Sequence, residues 1–85
     1  VIHTPGHTAG SMSVILESGE AFVGDTLFHI LGGRVYPPFA DRPDMLLESW
    51  RTLLATGAHT FYPAHGGPIS RRQFEDAARK RIPDI

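Results

Sequence analysis

Eighty-five residues allow one domain at most, and a chain this short buries only about 60–65 % of its unfolded surface, which leaves it dependent on a staple or a partner. There are no cysteines, so disulfides and thiolate metal sites are excluded. Eight basic against nine acidic residues, a net charge of −1, argue against general nucleic-acid binding, and no apolar run approaches the roughly 20 residues of a membrane span.

In chain order, Val1 to Thr4 reads as the end of a strand entering a Pro5-Gly6 turn. Met12 to Leu16 alternates Met12, Val14 and Leu16 onto one face, as a strand does. Ser18-Gly19 marks a tight turn, and Glu20 to Val23 returns as the second arm of a hairpin. Ala21-Phe22-Val23 is apolar on both faces, the pattern of a strand covered on both sides. From Thr26 to Arg42 periodicity is lost among Gly32-Gly33, Pro37-Pro38 and Pro43, while Phe28, Tyr36 and Phe39 keep the segment partly apolar. A loop of that length in so small a domain points to function or disorder, and its aromatics favour packing over something.

Pro43 to Ala55 is the strongest helix. Pro43 suits a first-turn position with Asp41 or Arg42 near the cap. Leu46, Leu47, Trp50, Leu53 and Leu54 form one apolar stripe, and Gly57 supplies a C-terminal stop. Thr60 to Tyr62 is a short strand aimed at the Pro63-Ala64-His65-Gly66 turn. Ser70-Arg71-Arg72-Gln73 has the form of a capping box opening a second helix with Phe74, Ala77, Ala78 and Ile82 inward, stopped by Pro83. The basic residues of that helix, alongside Glu75 and Asp76, read as a solvated face.

Three stretches carry the chemistry: His3-Thr4-Pro5-Gly6-His7-Thr8-Ala9-Gly10-Ser11, Gly24-Asp25-Thr26-Leu27-Phe28 and Pro63-Ala64-His65-Gly66-Gly67. Each sets a potential metal ligand where a short apolar run meets Gly or Pro. His3 and His7 have the spacing of a helical zinc pair, but Pro5 and Gly6 preclude the helix, so the two are loop residues. Gly6 and Gly10 let the backbone pass close to a ligand, and Thr8 and Ser11 can bond the loop amides. Asp25 follows an apolar strand, where a carboxylate is costly unless paired or coordinated. His7, Asp25 and His65 are therefore expected to converge on one metal site, and two imidazoles with a carboxylate suit zinc, with iron or manganese possible. His3 is expected to be structural, His29 to be exposed or to contact substrate, and His59 to sit favourably after a helix end. A Ser11-His65-Asp25 hydrolytic triad is disfavoured, because no nucleophile-elbow sequence surrounds Ser11.

In their order and spacing these three stretches resemble the metallo-β-lactamase superfamily, and the resemblance covers essentially all of residues 1–85. It implies an α/β fold: the C-terminal half of an αββα sandwich, about four strands with two helices on one face. It implies that the position of His7 binds a first metal, that of His65 a second, and that of Asp25 bridges them as the catalytic carboxylate. A metal-activated water would then attack an ester, thioester or lactam-like carbonyl of a small-molecule substrate, with two zinc ions in the complete domain. Arg34, Tyr36 and His29 of the long loop are the candidate substrate contacts.

The family's His-x-His-x-Asp-His motif, which supplies its other ligands, occurs nowhere in this chain. The 85-residue chain alone is thus expected to hold one ion or none and to be inactive. The sheet face that would meet the missing N-terminal half is expected to recruit that half or a second copy, giving a homodimer. No nucleic-acid or membrane partner is expected, and a cytoplasmic setting is the default. The competing reading is a non-catalytic binding or assembly module that keeps the fold without a productive metal.

Overall fold

The computed structural model describes residues 1–29, 35–36 and 40–82. Strand β1 (Ile2–His3) pairs antiparallel with β2 (Met12–Ile15), bringing Ile2 opposite Ser13 and His3 opposite Met12. The hairpin to β3 (Glu20–Gly24) closes as the sequence predicts, with Gly19 at φ 103° and hydrogen bonds between Leu16 and Glu20 and between Gly19 and Leu16. Helix α1 (Pro43–Leu54) then carries the chain over to β4 (Thr60–Pro63), which lies parallel to β3. A two-residue strand β5 (Ile69–Ser70) and helix α2 (Arg71–Arg79) complete the described fold. The mixed sheet runs β1-β2-β3-β4-β5, one strand more than the sequence predicts. The added strand is the two residues ahead of α2, too short to leave an alternating pattern.

Both helices pack on one face of this sheet. Ala21, Val23, Phe61 and Ile69 point toward Leu46, Trp50 and Leu53 of α1 and Phe74 and Ala78 of α2, and all nine are fully buried. Phe74 joins the layers, its ring edge-on to Trp50 at 5.1 Å and to Phe61 at 4.9 Å. The opposite face presents Met12, Val14, Phe22 and Tyr62, with Phe22 46 % exposed and stacked on Tyr62 at 5.2 Å. The alternation Met12, Val14, Leu16 thus marks the outer face rather than the core. In β3 the apolar run is covered on one side, by the helices.

Helix boundaries follow the sequence at one end and depart from it at the other. Helix α1 begins at Pro43 with Arg42 at the N-cap but without a side-chain cap, and Arg42 pairs instead with Asp44 at 3.0 Å. That hydrogen bond and charge hold the Asp44 carboxyl below the usual carboxylate range. At the C-terminus Gly57 is not among the glycines with positive φ and is not the stop. The termination is partly local, Thr56 Oγ1 donating to the Leu53 carbonyl at 2.6 Å, and partly long-range. The Arg71 guanidinium donates to the carbonyls of Leu54, Thr56 (3.1 Å) and Ala58 (2.8 Å), satisfying the end of α1 from the first turn of α2. Ser70 caps α2 in a full capping box with Gln73, as read from the sequence. Pro83 lies outside the described residues.

Candidate metal centre

Parallel pairing of β3 and β4 brings the ends of both strands to one edge of the sheet. Phe22 pairs with Tyr62 and Gly24 with Pro63, so the register slips by one residue at Val23, a bulge two residues before Asp25. Gly24, at φ 56°, turns the chain there, and its carbonyl accepts from Ala64 N at 2.9 Å. Asp25 and His65 consequently emerge side by side.

The third stretch reaches the same place through buried polar contacts. Thr4 and Ser13 share a hydrogen bond of 2.9 Å, and Thr26 donates to the Thr4 hydroxyl at 3.2 Å, all three side chains being buried. The Trp50 indole N–H donates to the Thr26 carbonyl at 2.8 Å. Ser49 donates to the Pro5 carbonyl at 2.7 Å, Arg42 N to Gly6 O at 2.8 Å and Asp41 N to His7 O at 3.2 Å. The start of α1 therefore clamps the Pro5–His7 turn. Gly6 makes the clamp possible: at φ 138° its missing Cβ would stand 2.3 Å from the Leu46 backbone.

The result places His7, Asp25 and His65 together. Asp25 stands between the imidazoles, with Oδ2 3.6 Å from His7 Nε2 and Oδ1 2.8 Å from His65 Nδ1. The side chains of His7 and Asp25 are 21 % and 33 % exposed, that of His65 59 %. Donation from His65 Nδ1 to the carboxylate leaves the lone pair of that ring at Nε2. Phe28 supplies the apolar wall, stacked on His65 at 4.8 Å and tilted against His7 at 6.0 Å. Among the described residues no group of three His, Asp or Glu side chains is disposed to enclose a single ion as it stands. The three meet around the carboxylate, with one imidazole at each oxygen. Two nitrogen donors flanking a carboxylate nevertheless fit zinc in donor chemistry.

The other histidines divide clearly. His3 Nε2 bonds the Ala9 carbonyl at 2.7 Å, the structural role read from the sequence. His59 bonds the Ser18 carbonyl at 3.1 Å and Thr60 Oγ1 at 2.8 Å, so it holds the β2–β3 turn rather than sitting at a helix end. His29 is partly buried, with Nδ1 directed at the carbonyls of Gly67 and Pro68. Thr8 and Ser11 bond one another within the loop, hydroxyl to hydroxyl at 2.9 Å. Of the candidate substrate contacts, Arg34 lies outside the described residues. Tyr36 packs edge-on against Trp50 at 5.7 Å with the Arg81 guanidinium 3.9 Å above its ring. Residues the sequence reading left unassigned are Thr4 and Thr26, which join two of the stretches, and Phe28, which lines the centre. The one sequence signal for them was a Thr and an aromatic flanking the candidate ligands.

No family model matches the chain. It is 41 % identical over 76 residues to a hydroxyacylglutathione hydrolase of Mesorhizobium japonicum, covering 87 % of this chain and 29 % of that protein. Against the hydroxyacylglutathione hydrolase of Shewanella oneidensis it is 38 % identical over 79 residues, 92 % of this chain and 28 % of the relative. Among solved structures, an archaeal metallo-β-lactamase superfamily protein from Sulfolobus tokodaii superposes with TM-score 0.75 at 30 % identity, over 93 % of this chain and 31 % of that one. A metallo-β-lactamase family protein from Thermus thermophilus gives TM-score 0.69 at 28 % identity, over 92 % of this chain and 28 % of that one. The mixed five-stranded sheet with its two helices is thus an α/β unit matching part of the metallo-β-lactamase fold. Over about nine-tenths of its own length the chain is thus similar to part of metallo-β-lactamase superfamily proteins, and it spans less than a third of the length of these relatives.

Proposed function

We propose that this chain is the C-terminal half of the catalytic domain of a zinc-dependent hydrolase, and that His7, Asp25 and His65 are its contribution to a two-metal centre. The observation that carries the reading is the Asp25 carboxylate with a different imidazole at each oxygen, 3.6 Å and 2.8 Å away. In this reading His7, Asp25 and His65 are the residues of this chain that would hold the zinc. When bound, zinc supplies Lewis acidity and lowers the pKa of a water toward neutrality, giving a nucleophile for a carbonyl. The chain's own part is positional. The clamp on Pro5–His7 fixes one imidazole, the Val23 bulge aims the carboxylate, and Phe28 walls the site with an apolar ring.

The relatives named hydroxyacylglutathione hydrolases favour a hydroxyacylglutathione, hence the thioester, over the ester and lactam-like alternatives. The outer sheet face with Met12, Val14, Phe22 and Tyr62 supports a further sheet packing there: the N-terminal half in the complete protein, or a second copy when the chain is isolated. Lacking the ligands of the other half, the isolated chain is inactive in this reading.

Metal analysis with a zinc titration on wild type and His7→Ala tests the site. The substitution is expected to lower the zinc bound per protein. Unchanged stoichiometry would show that His7 is not a ligand.

A further inference from the structure

The two residues after Leu27 do different work beside His65. Phe28 stacks on the imidazole, whereas His29 grips the backbone that follows it. His29 N donates to the His65 carbonyl at 3.0 Å, and His29 bridges Gly66 as a parallel β pair. The two backbones are so close that a Cβ on Gly66, itself at φ 95°, would stand 1.7 Å from the His29 carbonyl oxygen. The side chain extends the grip, with Nδ1 3.2 Å from the Gly67 carbonyl and 3.1 Å from the Pro68 carbonyl.

Both side-chain partners are acceptors only, so Nδ1 must carry a proton whatever the state of the ring. The contact therefore fixes the tautomer of His29 and spans the turn that leads away from His65. That turn needs a tie, because His65 is the most exposed of the three residues at the centre, at 59 %.

We propose that His29 is a positioning residue for His65. Its Nδ1–H locks the Gly66–Pro68 turn and so holds the His65 imidazole beside Asp25 and against Phe28. The inference rests on the reading of His65 as a metal ligand. Partners of this kind behind a ligand are worth about 10–100-fold in metal affinity. Its character is that of a hydrogen-bond donor at one point in space, which an asparagine amide N–H can reproduce and an alanine cannot.

The test uses the complete protein that contains this chain, titrated with zinc against a competing chelator. His29→Ala is expected to weaken the more weakly held ion about tenfold or more, and His29→Asn to return affinity to near the wild-type value. A purely structural role would lower the thermal midpoint of both variants together without this split in zinc affinity. His65→Ala separates the two levels of the argument. If it leaves zinc binding unchanged, the ligand assignment itself fails. If it weakens zinc while His29→Ala does not, or if His29→Asn behaves like His29→Ala, the positioning role is overturned. Should His29→Ala not fold, long-range proton–nitrogen NMR of the wild-type protein decides. A neutral ring protonated at Nδ1 supports the proposal and one protonated at Nε2 overturns it.

Discussion

Gly6→Ala should damage both the fold and the metal centre, and the size of the effect can be worked from the contacts. An added Cβ would stand 2.3 Å from both Leu46 N and Leu46 Cα and 2.5 Å from Leu46 Cβ, whereas ordinary van der Waals contact begins at 3.4 Å. The turn must therefore retreat from the helix by about 1 Å, and backbone atoms in the first turn of a helix cannot give way as a side-chain end would. Retreat strains or breaks the Arg42 N to Gly6 O and Ser49 Oγ to Pro5 O bonds, each worth about 1 kcal/mol. The φ of 138° adds about 1–3 kcal/mol for an L residue. The expected loss is about 3–5 kcal/mol, read as a lowered urea midpoint with little change in slope. Because His7 is the next residue and its carbonyl belongs to the same clamp, zinc affinity should fall with stability. Gly10→Ala is the control, in the same loop but with nothing within 4 Å of its added Cβ, and should stay within about 0.5 kcal/mol of wild type. Equal stabilities for the two variants, or Gly6→Ala with wild-type zinc affinity, would refute the idea that the close approach to α1 sets the His7 loop.

Two further substitutions probe the scaffold. Arg71→Ala leaves the carbonyls of Leu54, Thr56 and Ala58 without their guanidinium; a loss of about 2–3 kcal/mol in chemical denaturation is expected, and Arg71→Lys should recover only part because an ammonium lacks the planar fork. Trp50→Phe keeps most of the buried ring but orphans the Thr26 carbonyl, so it should cost about 1–3 kcal/mol and lower zinc affinity, through the turn that carries Asp25.

The hairpin and both helices were legible in the sequence because each is written in a short-range code. The turn at Ser18-Gly19, the stripe Leu46, Trp50, Leu53 and the box Ser70 to Gln73 all act within one or two turns of chain. The candidate ligands were legible for another reason: three dissimilar stretches matched one family together, although His7, Asp25 and His65 are weak signals singly. What escaped was whatever depends on residues distant in sequence. Gly57 looked like the stop of α1, yet the carbonyls at that end are held by Thr56 and, from a distance in sequence, by Arg71. His59 looked like a helix-end residue and instead holds the Ser18 carbonyl across the hairpin turn. His29 was read as a loop residue facing solvent or substrate, and its partners are the carbonyls of Gly67 and Pro68. No local pattern reports such pairings, since the spacing between partners carries no period.

The same contrast explains how so short a chain can bring His7, Asp25 and His65 together. Asp25 and His65 depend on a single topological fact, that β3 and β4 run parallel and end at one edge, the place where open α/β sheets assemble their sites. The Val23 bulge then changes which side chain stands at that edge, because one residue of slip exchanges the two faces of a strand. His7 arrives from an antiparallel hairpin, where strand direction offers no such guarantee, and it is there that the buried Thr4, Ser13 and Thr26 hydroxyls and the contact of Gly6 with α1 are found. Polar groups buried in a small core are costly unless each is satisfied, and these three satisfy one another. They are accordingly best understood as the means by which the hairpin loop is held in register with the parallel strands, so that the imidazole of His7 meets one oxygen of Asp25 while that of His65 meets the other.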